Sequence, residues 1–389
     1  MSVPSTLIDV SSPDLAVIGG GQLARMMQQP AIALGVRLRL LAEGPDVSAA
    51  QVIADHVVGD HTDLDDLRTA VADAPVVTFD HEHVPPEHLR TLAAEGHACR
   101  PGPDALLYAQ DKGDMRVRLS LLGVPCPIFE VLDVEPGDTV DDLADAMHEF
   151  GYPAVLKTTR GGYDGKGVWV VRSPDDLGEP LAAGRELIAE ELVDFRRELS
   201  ALVARSPSGE VRTYPVVQST QVDGICAEVI APAPDLSPEL EARARAIAEQ
   251  VATELDVTGI LAVELFETAD GRVLVNELAM RPHNTGHWTI DGAGTSQFEN
   301  HLRGVLDLPL GPTEPRQPWS VMVNVLGGTR VDLAAGRDAA LADDPGVHVH
   351  LYGKDVKPGR KVGHVTVTGD DLDEVLRRAR TAAATVADD

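Results

Sequence analysis

Two rhythms of hydrophobic and polar residues alternate through the first hundred positions. The apolar runs DLAVIGG (14–20), VRLRLLA (36–42), QVIADHVVG (51–59) and APVVTFD (74–80) predict strands, with one more over 97–100. Between them, QLARMMQQPAIALG (22–35), an Asp-rich stretch over 63–72 and residues 86–95 carry helical spacing. Such alternation predicts a parallel sheet with helices on both faces.

The pattern then changes. Residues 111–123 predict a helix capped by Asp111. PAVLKT (153–158) and VWVVR (168–172) read as strands around the loop TRGGYDGKG. LIAEELV (187–193), ELSALVAR (198–205), RTYPVVQ (212–218) and GICAEVIAPA (224–233) read as antiparallel strands with polar turns. A long helix over 237–255 precedes strands over 260–268 and 272–280, so the middle block is α+β. PTEPRQP (312–318) is a proline-rich break. Beyond it lie SVMVNVLGG, an Ala/Asp helix, VHVHLYG, KVGHVTVTG and a final helix over about 371–387. No internal repeat or low-complexity tract stands out.

Composition narrows the function classes. A net charge of -29 over 389 residues argues against nucleic acid or an anionic membrane surface as partner. No apolar run approaches the roughly 18–20 residues of a membrane span. The N-terminus carries neither a basic nor an apolar leader pattern. Cys99, Cys126 and Cys226 are scattered, which fits a reducing cytoplasm. Only six basic residues are lysine: Lys112, Lys157, Lys166, Lys354, Lys357 and Lys361. They fall in a loop before a helix, a strand with its glycine loop, and a C-terminal segment. A compact ammonium is a point charge for phosphate that arginine does not copy.

Several constellations carry chemistry. Gly19-Gly20-Gly21-Gln22-Leu23-Ala24 joins a strand to a helix, and Glu43 ends the next strand. Alone this fits a dinucleotide fingerprint, another phosphate site or a tight turn. Gly161-Gly162-Tyr163-Asp164-Gly165-Lys166-Gly167 joins two strands, so it is no Walker loop. It reads as a mobile flap whose N–H groups close on phosphates, with Lys157 as a fixed charge nearby. The strands 260–268 and 272–280 are joined by Asp270-Gly271, a preferred two-residue turn. In that register Glu264 and Glu277 face each other. Like charges so placed weaken a ladder unless a cation lies between them, and two carboxylates with phosphate oxygens make a Mg²⁺ shell. Two solvated glutamates on an outer face are the alternative.

Met280-Arg281-Pro282-His283-Asn284-Thr285-Gly286-His287-Trp288 follows as a substrate-side loop or a polar surface loop. Glu190-Glu191-Leu192-Val193 ends a strand, where a hinge can meet a purine edge, and Glu198 can reach ribose hydroxyls. The segment from Tyr352 to His364 concentrates Lys354, Lys357, Arg360 and Lys361, a local positive potential for a phosphate monoester or a solvated turn.

In order and spacing, GGGQLARMM, TFDHEHVP, GGYDGKG, EELV, VNELAMRPHNTGHWT and YGKDVKPGRKVGHV resemble the ATP-grasp superfamily, and within it the N5-carboxyaminoimidazole ribonucleotide synthetases of purine biosynthesis. The resemblance spans nearly the whole chain. It implies an N-terminal parallel α/β domain over 1–110, an ATP-grasp domain over 111–310 and a C-terminal lobe over 311–389. Implied too are ATP with Mg²⁺ or Mn²⁺, bicarbonate and aminoimidazole ribonucleotide as small-molecule substrates, and a homodimer. Carried over by motif, Lys112 and Lys157 meet phosphates, and Gly162, Tyr163, Asp164, Gly165, Lys166, Gly167 and Val168 form the flap. Glu190, Glu191, Leu192 and Val193 line the adenine hinge, Glu198 holds ribose, and Gln221 lies at the nucleotide. Asn276 and Glu277 sit at the triphosphate, with Glu264 and Glu277 as metal ligands. The ribonucleotide falls to Gln22, Glu82, Tyr163, His283, Asn284, Thr285, Lys354, Arg360 and Lys361. Asp164 or Glu82 would act on its amine, with Lys166 as a further catalytic candidate.

The chain departs from the family pattern at Gln221 (often His), Val168 (often Gln), Lys357 (Arg) and TFDHEHVP (usually TFEFENVP). Asn284 stands where a formate-using sister ligase carries Asp. The rival readings are that formate-dependent ligase, another carboxyphosphate-forming ligase, an NAD-linked oxidoreductase built on Gly19–Ala24 and Glu43, and a non-catalytic nucleotide-binding or regulatory protein.

Overall fold

The computed structural model describes residues 12–388 apart from 136, 163, 164 and 185. Tyr163 and Asp164 of the glycine loop therefore lie outside the described residues. The chain divides into two compact units between Arg100 and Pro101.

The first unit is the predicted parallel α/β layer. Strands β1 (Leu15–Ile18), β2 (Leu38–Ala42), β3 (His56–Val58), β4 (Val76–Phe79) and β5 (Ala98–Cys99) form one sheet in the order β3-β2-β1-β4-β5. All pairs are parallel. Every residue of β1 and β4 is buried, as expected where helices cover both faces. The helix Gln22–Leu34 ends at Gly35, which takes a left-handed φ of 69° and so terminates it as the pattern predicts.

The second unit holds two antiparallel sheets. Strands β6 (Phe129–Leu132), β7 (Ala154–Thr158), β8 (Val168–Val171) and β9 (Leu187–Glu191) make a four-stranded sheet ordered β6-β9-β7-β8. The larger sheet takes β10 (Phe195–Arg205), β11 (Val211–Thr213), β12 (Val217–Val222), β13 (Ile225–Ala231), β14 (Gly259–Thr268), β15 (Val273–Ala279), β16 (Trp319–Leu326), β17 (His348–Leu351) and β18 (Lys361–Gly369). Its order is β15-β14-β10-β12-β13-β16-β18-β17, with β11 also on β10. The expected strand RTYPVVQ is split into β11 and β12, because Pro215 has no N–H for the ladder. The strands after the proline-rich break continue this sheet through β13 and β16. The last helix, Leu372–Ala387, buries Val375, Ala379 and Val386 against Val321, Val365 and Val367. Among the described residues no helix is long and apolar enough to cross a membrane.

One guanidinium ties the two sheets together. Asp111 caps the helix Lys112–Leu121 by accepting from the Asp114 N–H, as predicted. Arg116 of that helix is fully buried. Its Nε donates to Glu190 Oε1 of β9 at 2.7 Å, while its terminal nitrogens donate to the Val275 and Asn276 carbonyls of β15 at 3.1 and 2.7 Å. Lys157 of β7 meets the other Glu190 oxygen at 2.8 Å. Burial alone would raise the Glu190 carboxyl. Arg116 and Lys157 outweigh it and hold the group at about 2.

Arg116→Met is expected to cost about 3 kcal/mol of stability, the low end for breaking a buried ion pair, because Lys157 still serves Glu190. Urea unfolding at pH 7 measures it, and a loss under about 1 kcal/mol would contradict the bridging role. A depressed carboxyl stabilises above its unfolded pKa, and that gain is lost as pH falls through the folded value. The difference between wild type and Glu190→Gln should therefore shrink from about pH 5 to pH 2.

Candidate functional site

The paired glutamates come together as predicted, by a different local route. Glu264 of β14 faces Glu277 of β15. The turn between them has three residues, not two: the Thr268 N–H donates to the Arg272 carbonyl, and Gly271 closes the loop at φ 81°. That shifts the register by one residue. A β-bulge between Glu264 and Leu265 shifts it back, leaving Asn276 as the extra residue. The two departures cancel.

The bulge also places Asn276. Its backbone carbonyl takes the Arg116 hydrogen bond, and its side-chain oxygen accepts from Lys157 Nζ at 3.1 Å. Lys112 Nζ lies 2.9 Å from Glu277 Oε1 and 3.4 Å from the Gly162 carbonyl at the base of the flap. Both expected phosphate lysines thus converge on the Asn276–Glu277 dipeptide.

A pocket beside this pair is lined by Glu198, Ser200, Ser219, Gln221, Glu264, Asn276 and Thr285, with Leu199 and Leu265 beneath. Five of these are predicted site residues. Burial raises the Glu198 carboxyl. Glu264 is pushed up to about 8, first by burial, then by the facing Glu277 and by Glu198, against the opposing charges of Lys361 and Arg281. An all-oxygen set of two opposed carboxylates beside an amide oxygen, one of them disfavoured as an anion, is the donor chemistry of a hard divalent cation. Glu264 and Glu277 therefore fit Mg²⁺. Gln221 occupies the pocket and donates to Ser219 Oγ at 2.8 Å.

The loop after β15 is held from beneath by a residue the sequence reading passed over. Gln297, fully buried, accepts from the His283 N–H at 2.8 Å, donates to the His283 carbonyl at 2.7 Å and reaches His287 Nδ1 at 3.0 Å. Gly286 is required there, since a Cβ would strike Gln297 and Leu202. His283 Nε2 then lies 3.3 Å from Glu264 Oε1, and its Nδ1 meets Thr285 Oγ1 at 2.9 Å. Burial first, then Arg281 and Lys361, keep the His283 pKa well below the ordinary value, so the ring that faces Glu264 is uncharged. The Asn284 amide is buried with no nitrogen or oxygen partner, and Cys226 is its neighbour. His287 Nε2 is also buried without a partner. Such groups mark a place where a ligand or water completes the bonding.

The glycine loop after β7 is shaped by local backbone requirements. Gly161, Gly165 and Gly167 take φ of 76°, 77° and 70°, which glycine alone adopts freely. A Cβ on Gly167 would press on Thr158 Oγ1. Lys166 and Val168 are exposed. At the end of β9, Glu190 turns inward to Arg116, and the Glu191 N–H is committed to the Ile128 carbonyl. The Glu191 carboxylate accepts from the Ile128 N–H. Leu192 and Val193 follow where the ladder ends.

The basic C-terminal segment divides. Lys361 begins β18 and acts on Glu264 and His287. Lys354 Nζ sits 6.0 Å from the Tyr352 ring centre, and Arg360 donates to the Asp355 carbonyl at 3.3 Å.

In the first unit, the glycine loop is occupied by the chain itself. Gly21 and Ala24 N–H groups donate to Asp80 at 2.6 and 2.9 Å, and the Gly20 N–H donates to Glu43 at 3.1 Å. A Cβ on Gly21 would strike Asp80. Those are the donors a dinucleotide pyrophosphate would need. The reading of Gly19–Ala24 and Glu43 as an NAD site is therefore corrected: carboxylates hold the place of phosphate. Gln22 opens the helix behind this loop, and Glu82 is buried after β4.

Comparisons with known proteins agree with this architecture. A model of the ribonucleotide synthetase preATP-grasp domain matches residues 13–110. One of the ATP-grasp domain matches 118–298, and one of the phosphoribosylaminoimidazole carboxylase C-terminal domain matches 320–378. The N5-carboxyaminoimidazole ribonucleotide synthase of Corynebacterium ammoniagenes is 52% identical over 381 residues, covering 95% of this chain and 91% of that protein. The crystal structure of the synthetase from Thermus thermophilus is 39% identical with a TM-score of 0.84, covering 96% of this chain and 99% of the other. The Aspergillus clavatus enzyme, solved with ADP and 5-aminoimidazole ribonucleotide, is 34% identical with a TM-score of 0.88, covering 97% and 99%. By this identity, coverage and fold, the chain belongs to the N5-carboxyaminoimidazole ribonucleotide synthase family.

Proposed function

We propose that the chain couples ATP cleavage to carboxylation of the amine of 5-aminoimidazole ribonucleotide, with bicarbonate as carbon source and ADP and phosphate as products. The observation that carries this reading is the Glu264–Glu277 pair, set beside Asn276, Lys112 and Lys157 over a polar pocket. The named relatives support the same substrates: one is solved with ADP and the ribonucleotide.

In this reading Glu264 and Glu277 hold Mg²⁺, which would supply charge neutralisation on the triphosphate. Lys112 exchanges Glu277 for phosphate, and Lys157, braced by Glu190 and Asn276, presents a fixed ammonium. Gly162, Gly165 and Gly167 let the flap, with Tyr163, Asp164, Lys166 and Val168, close over the phosphates and exclude water from a carboxyphosphate intermediate. Leu192 and Val193 offer backbone groups to adenine, with Glu190 and Glu191 bracing the hinge, Glu198 at the ribose and Gln221 beside it. His283, Asn284 and Thr285, with Lys354, Arg360 and Lys361, take the ribonucleotide. Gln22 and Glu82 of the first unit are assigned to it by motif alone, as are the proton-transfer roles of Asp164 or Glu82. A functional division at 1–110, 111–310 and 311–389 and a homodimer belong to the same proposal.

Mg²⁺-dependent ADP release is expected only when bicarbonate and the ribonucleotide are both present. Glu277→Gln should lower it at least about 100-fold, the scale on which a preorganised electrostatic group acts. Turnover with formate and a different ribonucleotide would replace the substrates and keep the fold. ATP binding without turnover under any of these conditions would indicate a binding protein.

A second outcome concerns stability. A carboxyl raised in the folded state opposes folding once it ionises, so that cost grows as pH rises from about 4.5 towards 8. Glu264→Gln should melt above wild type at pH 8–9 without Mg²⁺ and lose turnover. The melting difference should close near pH 5, where wild-type Glu264 is protonated. Equal melting at both pH values would contradict the buried like-charge pair.

A further inference from the structure

We infer that the first unit carries a second cation site of different chemistry, built from Glu43, His61 and His81 and selective for a borderline transition ion such as Zn²⁺ or Co²⁺. One donor atom from each lies within 4.8 Å of the others. The three residues follow different strands of the parallel sheet: Glu43 follows β2, His61 follows β3 and His81 follows β4. They therefore converge at its carboxyl edge.

Glu43 and His81 each have a hydrogen-bond partner beside the site. The Gly20 N–H holds Glu43 Oε2 at 3.1 Å, and Oε1 lies 3.8 Å from His81 Nε2. Asp60 Oδ1 lies 3.9 Å from His61 Nδ1. The two rings meet edge to face with centroids 4.4 Å apart. Metal–nitrogen bonds of about 2.1 Å put tetrahedral donors about 3.4 Å apart, so the cluster closes by side-chain rotation of little more than an ångström. Glu43 is exposed and can supply it. His81 Nδ1 now accepts from the His83 N–H at 3.2 Å, and coordination through Nε2 moves a proton to Nδ1, so that contact gives way on binding.

Two imidazoles and one carboxylate favour Zn²⁺, Co²⁺ or Ni²⁺ over Mg²⁺, whereas the all-oxygen Glu264–Glu277 pair favours the reverse. The site requires nothing of the ATP assignment.

The test is Co²⁺ titration of the metal-stripped, tag-free full chain in saturating Mg²⁺, followed by the visible absorption of bound cobalt. One equivalent is expected. His81→Phe and His61→Ala should each weaken it at least about 10-fold, and Glu43→Gln provides a third variant on an exposed side chain. Circular dichroism confirms folding of each variant. No cobalt band in wild type, or an unchanged band in the His61→Ala/His81→Phe double variant, would overturn the inference.

Discussion

The second unit depends on one buried guanidinium. Arg116 reaches a carboxylate on one sheet and two carbonyls on the other. Leaving any of those acceptors dry would cost free energy, so the three bonds specify how helix and sheets meet. The bonds also bear on chemistry. Glu190, held ionised by Arg116, orients Lys157, and the Asn276 carbonyl is pinned at the bulge that aims its side chain at the same lysine.

Opposed to this network of matched charges stands a like-charged pair. Glu264 and Glu277 share one face of a ladder, and burial raises the Glu264 carboxyl further. The fold tolerates the repulsion because neighbouring strands and the Gln297-braced loop over-determine the position. Stability given up at such a place is recovered when a cation enters, the usual trade at a binding site.

The first unit shows how a motif can mislead when read alone. Three glycines between a strand and a helix predict a phosphate cradle. Asp80 and Glu43 come from 59 and 23 residues away to take the same N–H groups. A helix N-terminus favours an anion, and here the chain supplies its own.

What the sequence alone determined was local or periodic. The alternation of the first hundred residues, the Asp111 cap, the left-handed Gly35 and the glycine flap all follow from rules that act over a few residues. Six spaced motifs sufficed for the family. Tertiary structure decided the rest. The facing glutamates were legible, yet the turn length and the bulge that set their register were not, because their two one-residue shifts cancel. Arg116 left a trace as a charge on the stripe of Met115 and Leu119, but its three acceptors lie between 74 and 160 residues away. Gln297 left no trace. Its role exists only where a helix and a distant loop pack together, since a buried amide acquires its function from the donors and acceptors that the fold brings to it.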